Sequence, residues 1–295
     1  MALKEDGRLA IRETLKLAWW DVMSNWKQGF ALLVVLSIPS ILLYATGTMK
    51  WLMSINAVPS WTQGLVFLVF YLLMLLFSCA IYVLFIRLFL VGPQYVFRIS
   101  AGDVARYALR FIWKGIQFAL LTLAAMMILA IPYVVVSMFL GFIMGALAGG
   151  AELGSGLIFL LSLILWLAIM VVYMAIAVRV YPTFFGTTLG QVIRFRESWR
   201  TMHGYTWRTI MALVPPIIIK LASFYAIWVL MMRELASGGP AAMVEFVSGL
   251  WWVGLVMLPV SYISYGWAVG ILSHIYKDMW PAPAILDAPV HAEGN

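Results

Sequence analysis

Charge is what this chain has least of. Only 11% of its 295 residues are Asp, Glu, Lys or Arg, and 12 of those are acidic. A soluble domain keeps roughly a quarter of its residues charged to wet its surface. Sixty-four per cent are hydrophobic and the mean hydropathy is +1.00, so the apolar surface must meet something other than water. The single cysteine, Cys79, lies inside an apolar run, which excludes an internal disulfide and a thiolate metal cluster. Three histidines form no H-E-x-x-H pair, and neither G-x-S-x-G nor a phosphate-cradling glycine loop occurs. A bis-histidine haem on His203 and His274 is set aside, because one lies in a loop and the other near the end of an apolar run. The expectation is a protein without catalysis, cofactor or metal. The net charge of +7 is spread between apolar runs rather than along one stripe or tail, which excludes nucleic acid as the partner.

What is present is length of hydrocarbon-compatible sequence. A helix crosses the bilayer core with about 20 apolar residues, and six stretches qualify: Gly29–Thr48, Gly64–Ile86, Ile116–Leu140, Leu157–Val178, Ile210–Met232 and Phe246–Ile275. Apolar all round and too long for strands, they read as helices, which satisfy their backbone groups internally; a barrel is excluded. The first run is longer than a secretory h-region and lacks a small-residue cleavage pattern, so it reads as a retained span. Sixteen of the Lys and Arg residues lie on one side of this layout, against Lys50 and Arg233 on the other. The bias predicts both termini and the longer connections in the cytoplasm. Trp26, Trp113 and Trp207 mark the inner boundary; Trp51, Trp61 and Trp251 mark the outer one.

A threefold pattern runs through the chain. Each pair of spans is preceded by an amphipathic segment expected to lie at the interface. In the first, Ile11, Leu15, Ala18, Trp19, Val22 and Trp26 share a face. In the second, Ser100 and Asp103 form a capping box ahead of Val104, Tyr107, Ala108, Phe111 and Ile112. In the third, Thr188 and Gln191 are placed to cap a helix presenting Leu189, Val192, Ile193 and Trp199 and ending at Gly204. Each segment closes on a Trp and a basic residue: Trp26-Lys27, Trp113-Lys114 and Trp207-Arg208. The predicted fold is an all-α integral membrane domain over residues 1–280. Its three units cover about 9–86, 100–178 and 188–278, each an interfacial helix plus a transmembrane hairpin, followed by a short cytoplasmic tail over 281–295.

Arg179-Val-Tyr-Pro182, then Glu197-Ser-Trp-Arg200, Gly204 and Trp207-Arg208, resemble the E-S-W-R-x-x-x-G-x-x-W-R region of a bacterial group. That group comprises the YciC-like inner-membrane proteins and the membrane domain joined to some glycerophosphodiester phosphodiesterases. Tyr276-Lys277-Asp278 is similar to the Tyr-basic-Asp that follows the group's last span. The resemblance implies the six-span fold, a bacterial inner-membrane address and a connection to lipids. It implies no activity, since no phosphodiesterase domain follows the last span here.

Lys220 is the one Lys, Arg, Asp or Glu deep inside a span. A cation at helix centre costs roughly 2.5–3.5 kcal/mol to insert, so it marks a site or snorkels to an interface. Pro215 and Pro216 free the carbonyls of Met211 and Ala212 nearby. Arg87, Arg106, Arg110, Lys114, Arg179, Arg196, Arg200 and Arg208 either anchor the spans or hold anionic lipid headgroups. Gly141, Gly145 and Gly149, and Gly266 with Gly270, form small-xxx-small steps suited to helix packing. Pro39, Pro132 and Pro259 are expected to kink their spans. The leading functional expectation is a non-enzymatic protein interacting with anionic lipid or organising the membrane at the cytoplasmic leaflet. The alternatives are a small transporter or channel passing Lys220, and a scaffold subunit that self-associates or joins a membrane complex.

Overall fold

The computed structural model describes residues 10–45, 61–146, 151–249 and 251–280. Every regular element among them is an α-helix: α1 (Ile11–Ser24), α2 (Trp26–Ala45), α3 (Trp61–Val91), α4 (Pro93–Val96), α5 (Ala101–Ala146), α6 (Ala151–Thr188), α7 (Phe195–Met202), α8 (Thr206–Gly249) and α9 (Trp251–Met279). Among the described residues four segments are long and apolar enough to cross a membrane: Leu68–Val91, Ala101–Ile128, Leu167–Thr188 and Thr206–Leu230. These helices indicate a membrane protein. Helices α2 and α9 carry the first and last expected spans, and each of the long helices is continuous through its proline, Pro259 of α9 included. Trp51, Gly149 and the tail over 281–295 lie outside the described residues.

The core gathers at one end, where the C-terminal ends of α3, α6 and α9 meet α1 and the N-terminal part of α8. Leu88, Val180, Ile271, Ile275 and Tyr276 are fully or almost fully buried there. Away from this end the helices stand open. Only 6% of the apolar stretch Ala101–Ile128 of α5 is buried inside the protein, and Leu73, Ile128, Met138 and Phe224 are exposed, as hydrocarbon-facing residues must be.

Three expectations about the amphipathic segments are corrected. The second is not a separate surface helix: α5 runs unbroken for 46 residues, about 69 Å at 1.5 Å per residue against a hydrocarbon core of about 30 Å. Between Trp113 and Ile116 the sole weak helix former is Gly115, which costs about 1 kcal/mol and stops nothing. The Ser100 cap does form: Ser100 Oγ accepts from the Asp103 amide at 3.1 Å and donates to Asp103 Oδ2 at 2.8 Å.

The third segment begins later than expected. Thr188 ends α6 instead of capping a new helix, because Gly190 has φ +77°. The Gln191 amide donates to the Gly186 carbonyl at 2.8 Å and the Gly190 amide to the Thr187 carbonyl at 3.1 Å, which is a Schellman termination. Helix α7 therefore starts at Phe195 with Arg194 as an N-cap lacking a side-chain bond. It buries Ser198 and Met202, and leaves Val192 in the exposed loop before it. It ends at Met202 with His203 as the C-cap, so Gly204 does hold the expected C′ position, but without the positive φ of a Schellman or αL stop.

In the first segment the buried stripe is Thr14, Ala18 and Val22. Trp26 belongs to α2 and is exposed. This helix is packed into the bundle rather than resting on its surface. Tyr262 Oη donates to the Val22 carbonyl at 2.7 Å and Trp267 Nε1 to the Leu15 carbonyl at 3.1 Å. Gly270 lets α9 press on α1, since a Cβ there would lie 3.2 Å from the Ala18 Cβ.

Candidate functional site

The basic end is built by side chains that close one helix terminus with a residue from another. The last carbonyls of a helix have no intrahelical donor and carry a partial negative charge, which a cation satisfies. Arg87, near the end of α3, donates from Nη1 to the Thr188 carbonyl that ends α6, at 2.7 Å. Lys277, near the end of α9, donates to the Phe89 carbonyl near the end of α3, at 2.9 Å. Arg179 of α6 donates from Nε to Thr206 Oγ1 at the start of α8, at 3.0 Å. The three contacts run from α3 to α6, from α6 to α8 and from α9 back to α3. They form a closed circuit of three cations. Beside it, His274 Nε2 lies 2.9 Å from Asp21 Oδ2 of α1, outside hydrogen-bond geometry.

Two halves of the Arg179-to-Arg208 motif meet at Arg179. Ser198 Oγ donates to the Arg179 carbonyl at 2.6 Å, and the Trp199 ring lies under the guanidinium with 4.7 Å from Cζ to the centroid. Tyr276 Oη donates to Gln191 Oε1 at 2.5 Å, tying the motif at the end of α9 to the loop after α6. The motif is thus a helix lock. In the sequence Lys277 stands out through the inner basic bias and the Tyr-basic-Asp resemblance, and Ser198 only as a member of the motif; nothing there singles out Tyr262 or Trp267. Their signal was spacing from neighbours on other helices, which a single chain read linearly does not display. Buried and without a hydrogen-bond partner among the described residues are Tyr181 Oη, Thr209 Oγ1 and Ser273 Oγ.

The remaining expected cationic residues face outward. Arg106 pairs with Asp103 at 3.3 Å and its side chain is 66% exposed. Arg110, Arg196 and Arg200 are exposed, while Lys114 and Arg208 are half-buried. Lys114 lies over the Phe195 ring at 4.7 Å, which sets α5 beside the start of α7. Trp113 and Trp207 are exposed as well. Of the eight cations expected to hold headgroups, Arg87 and Arg179 are turned inward to helix termini.

Lys220 points across to a neighbouring helix. Its Nζ reaches α9, where it donates to Ser261 Oγ at 3.3 Å and lies over the Tyr265 ring, 4.7 Å from the centroid. The Met211 and Ala212 carbonyls are not its partners. Pro216 is buried and Pro215 half-buried in α8. Gly266 faces Phe89 and Val22 and Gly270 faces Ala18, each with a Cβ position inside normal contact distance. Gly141 and Gly145 are helical. Among the described residues no group of three metal-ligating side chains forms. No family model matches this chain, and neither a curated protein nor a solved structure does.

Proposed function

We propose that this chain is a non-enzymatic bacterial inner-membrane protein with six spans and a cytoplasmic basic end, and that this end gathers anionic lipid in the facing leaflet. The division of labour among the basic residues carries the reading. Arg87, Arg179 and Lys277 are committed to helix termini, whereas Arg110, Arg196 and Arg200 stand exposed, as do Trp113 and Trp207. Indole rings favour the headgroup level. Each Lys or Arg near an anionic leaflet adds about 1 kcal/mol of attraction. The circuit of cations supports a threefold layout of hairpins. The contact of Ser198 and Trp199 with Arg179 supports kinship with the YciC-like group, because the motif's residues act on one another.

Purification of the full chain in nanodiscs with its native lipid tests this reading. Enrichment of phosphatidylglycerol or cardiolipin over the bulk membrane is expected, and it falls to the bulk ratio when Arg196, Arg200 and Arg208 are all changed to Gln. Unenriched lipid in the native protein, or enrichment unchanged in the triple variant, refutes it.

A further inference from the structure

We propose that Lys220, Ser261 and Tyr265 form a second, intramembrane site that binds the carboxylate of a single-chain amphiphile such as a fatty acid, entered sideways from the lipid. Lys220 lies about 21 Å along α8 from Thr206 at 1.5 Å per residue, far from the basic surface, so the site is independent of the function proposed above. Its ammonium is oriented by a hydroxyl and an aromatic face, and neither is an anion. No carboxylate pairs with it among the described residues. A half-buried cation deep in an apolar helix, with no carboxylate beside it among the described residues, calls for a counter-ion from outside the chain.

The geometry selects the class of anion. Ser261 Oγ accepts from Lys220, so its own proton is left to donate. An ammonium and a hydroxyl 3.3 Å apart then offer two converging donors, which match the two oxygens of one carboxylate. A phosphate dianion asks for more positive charge and more donors than these residues hold. The approach selects an amphiphile. Ile218, Leu221 and Phe224 flank Lys220 on α8 and are exposed, as is Tyr265 on α9. A hydrocarbon chain lies against that apolar face while its head reaches Nζ, whereas a water-borne anion would have to cross it.

Photo-crosslinking tests the proposal. The full chain, in nanodiscs of phosphatidylcholine, is exposed to a diazirine-bearing fatty acid, to its methyl ester and to a diazirine phosphatidic acid, and the labelled peptides are mapped by mass spectrometry. The acid is expected to label α8 and α9 around Lys220 and Ser261. Lys220→Met should reduce that labelling about tenfold, the worth of one charge-assisted hydrogen bond, with Lys220→Arg retaining most of it and Ser261→Ala losing part. Labelling of lipid at the basic surface stays unchanged in these variants, which separates this site from the first. Equal labelling by acid and ester, stronger labelling by phosphatidic acid, or native-level labelling of a monodisperse Lys220→Met protein overturns the proposal.

Discussion

Tyr181 and Tyr276 share Phe185 as a ring neighbour, at 5.1 and 5.9 Å between centroids, yet their hydroxyls differ in circumstance. Tyr276 Oη is bonded to Gln191, and Tyr181 Oη is buried without a partner among the described residues. Removing a bonded hydroxyl costs about 1–2 kcal/mol, whereas removing an unsatisfied buried one relieves a desolvation penalty. Thermal unfolding in detergent should therefore show a lowered midpoint for Tyr276→Phe and an equal or raised midpoint for Tyr181→Phe. The reverse order would mean that the hydroxyl partners are wrongly assigned. Arg87 is the costliest of the linking cations to lose. Its half-buried guanidinium makes a charge-assisted bond worth about 1.5–3 kcal/mol, bridging α3 to the end of α6.

Among the helices, the informative contrast lies between what periodicity conveys and what only packing decides. The four long apolar helices among the described residues were legible because hydropathy over about 20 residues is a bulk property that neighbours do not alter. Helix stops were less so. Thr188 with Gln191 has the spacing of an N-cap, and Gly190 between them has the conformational freedom of a terminator; the glycine prevails because φ +77° is cheap for it alone. Gly190→Ala should destabilise by about 1 kcal/mol, and its Cβ would also meet Tyr107 Oη at 2.9 Å. The amphipathic face of α1 was legible, but its partner was not. That face meets α9 through Gly266, Gly270, Tyr262 and Trp267, a surface assembled by residues more than 200 positions away. Gly270→Val pushes α9 off Ala18. Faster amide exchange across Ile11–Ser24, with the outer half of α8 unaffected, is the expected reading in hydrogen-exchange mass spectrometry; unchanged protection of α1 would show that the contact is dispensable. For the candidate site, Lys220 was legible as the lone ion deep in a span. Ser261 and Tyr265, on another helix, were not.

Among the described residues, one end is tightly bonded and the helices leading away from it are apolar and exposed, and the orientation of the molecule is open to direct test. A Cys introduced at Arg106 in a Cys79→Ala background should react with a membrane-impermeant maleimide in inverted vesicles and not in intact cells; labelling from outside would reverse the topology. The circuit of Arg87, Arg179 and Lys277 implies coupling across hairpins. Once one link is open the others hold less, so Arg87→Gln combined with Lys277→Gln should lower the unfolding midpoint by less than the two single losses added together. Strict additivity would show three separate contacts. The bonds from Tyr262 and Trp267 to α1 bridge 240 and 252 positions. At about 5–20 residues per second of synthesis, roughly 10–50 s pass between the emergence of α1 and that of its seat. During biogenesis α1 is therefore a waiting passenger with its greasy stripe uncovered, and α9 is the latch that ends the wait.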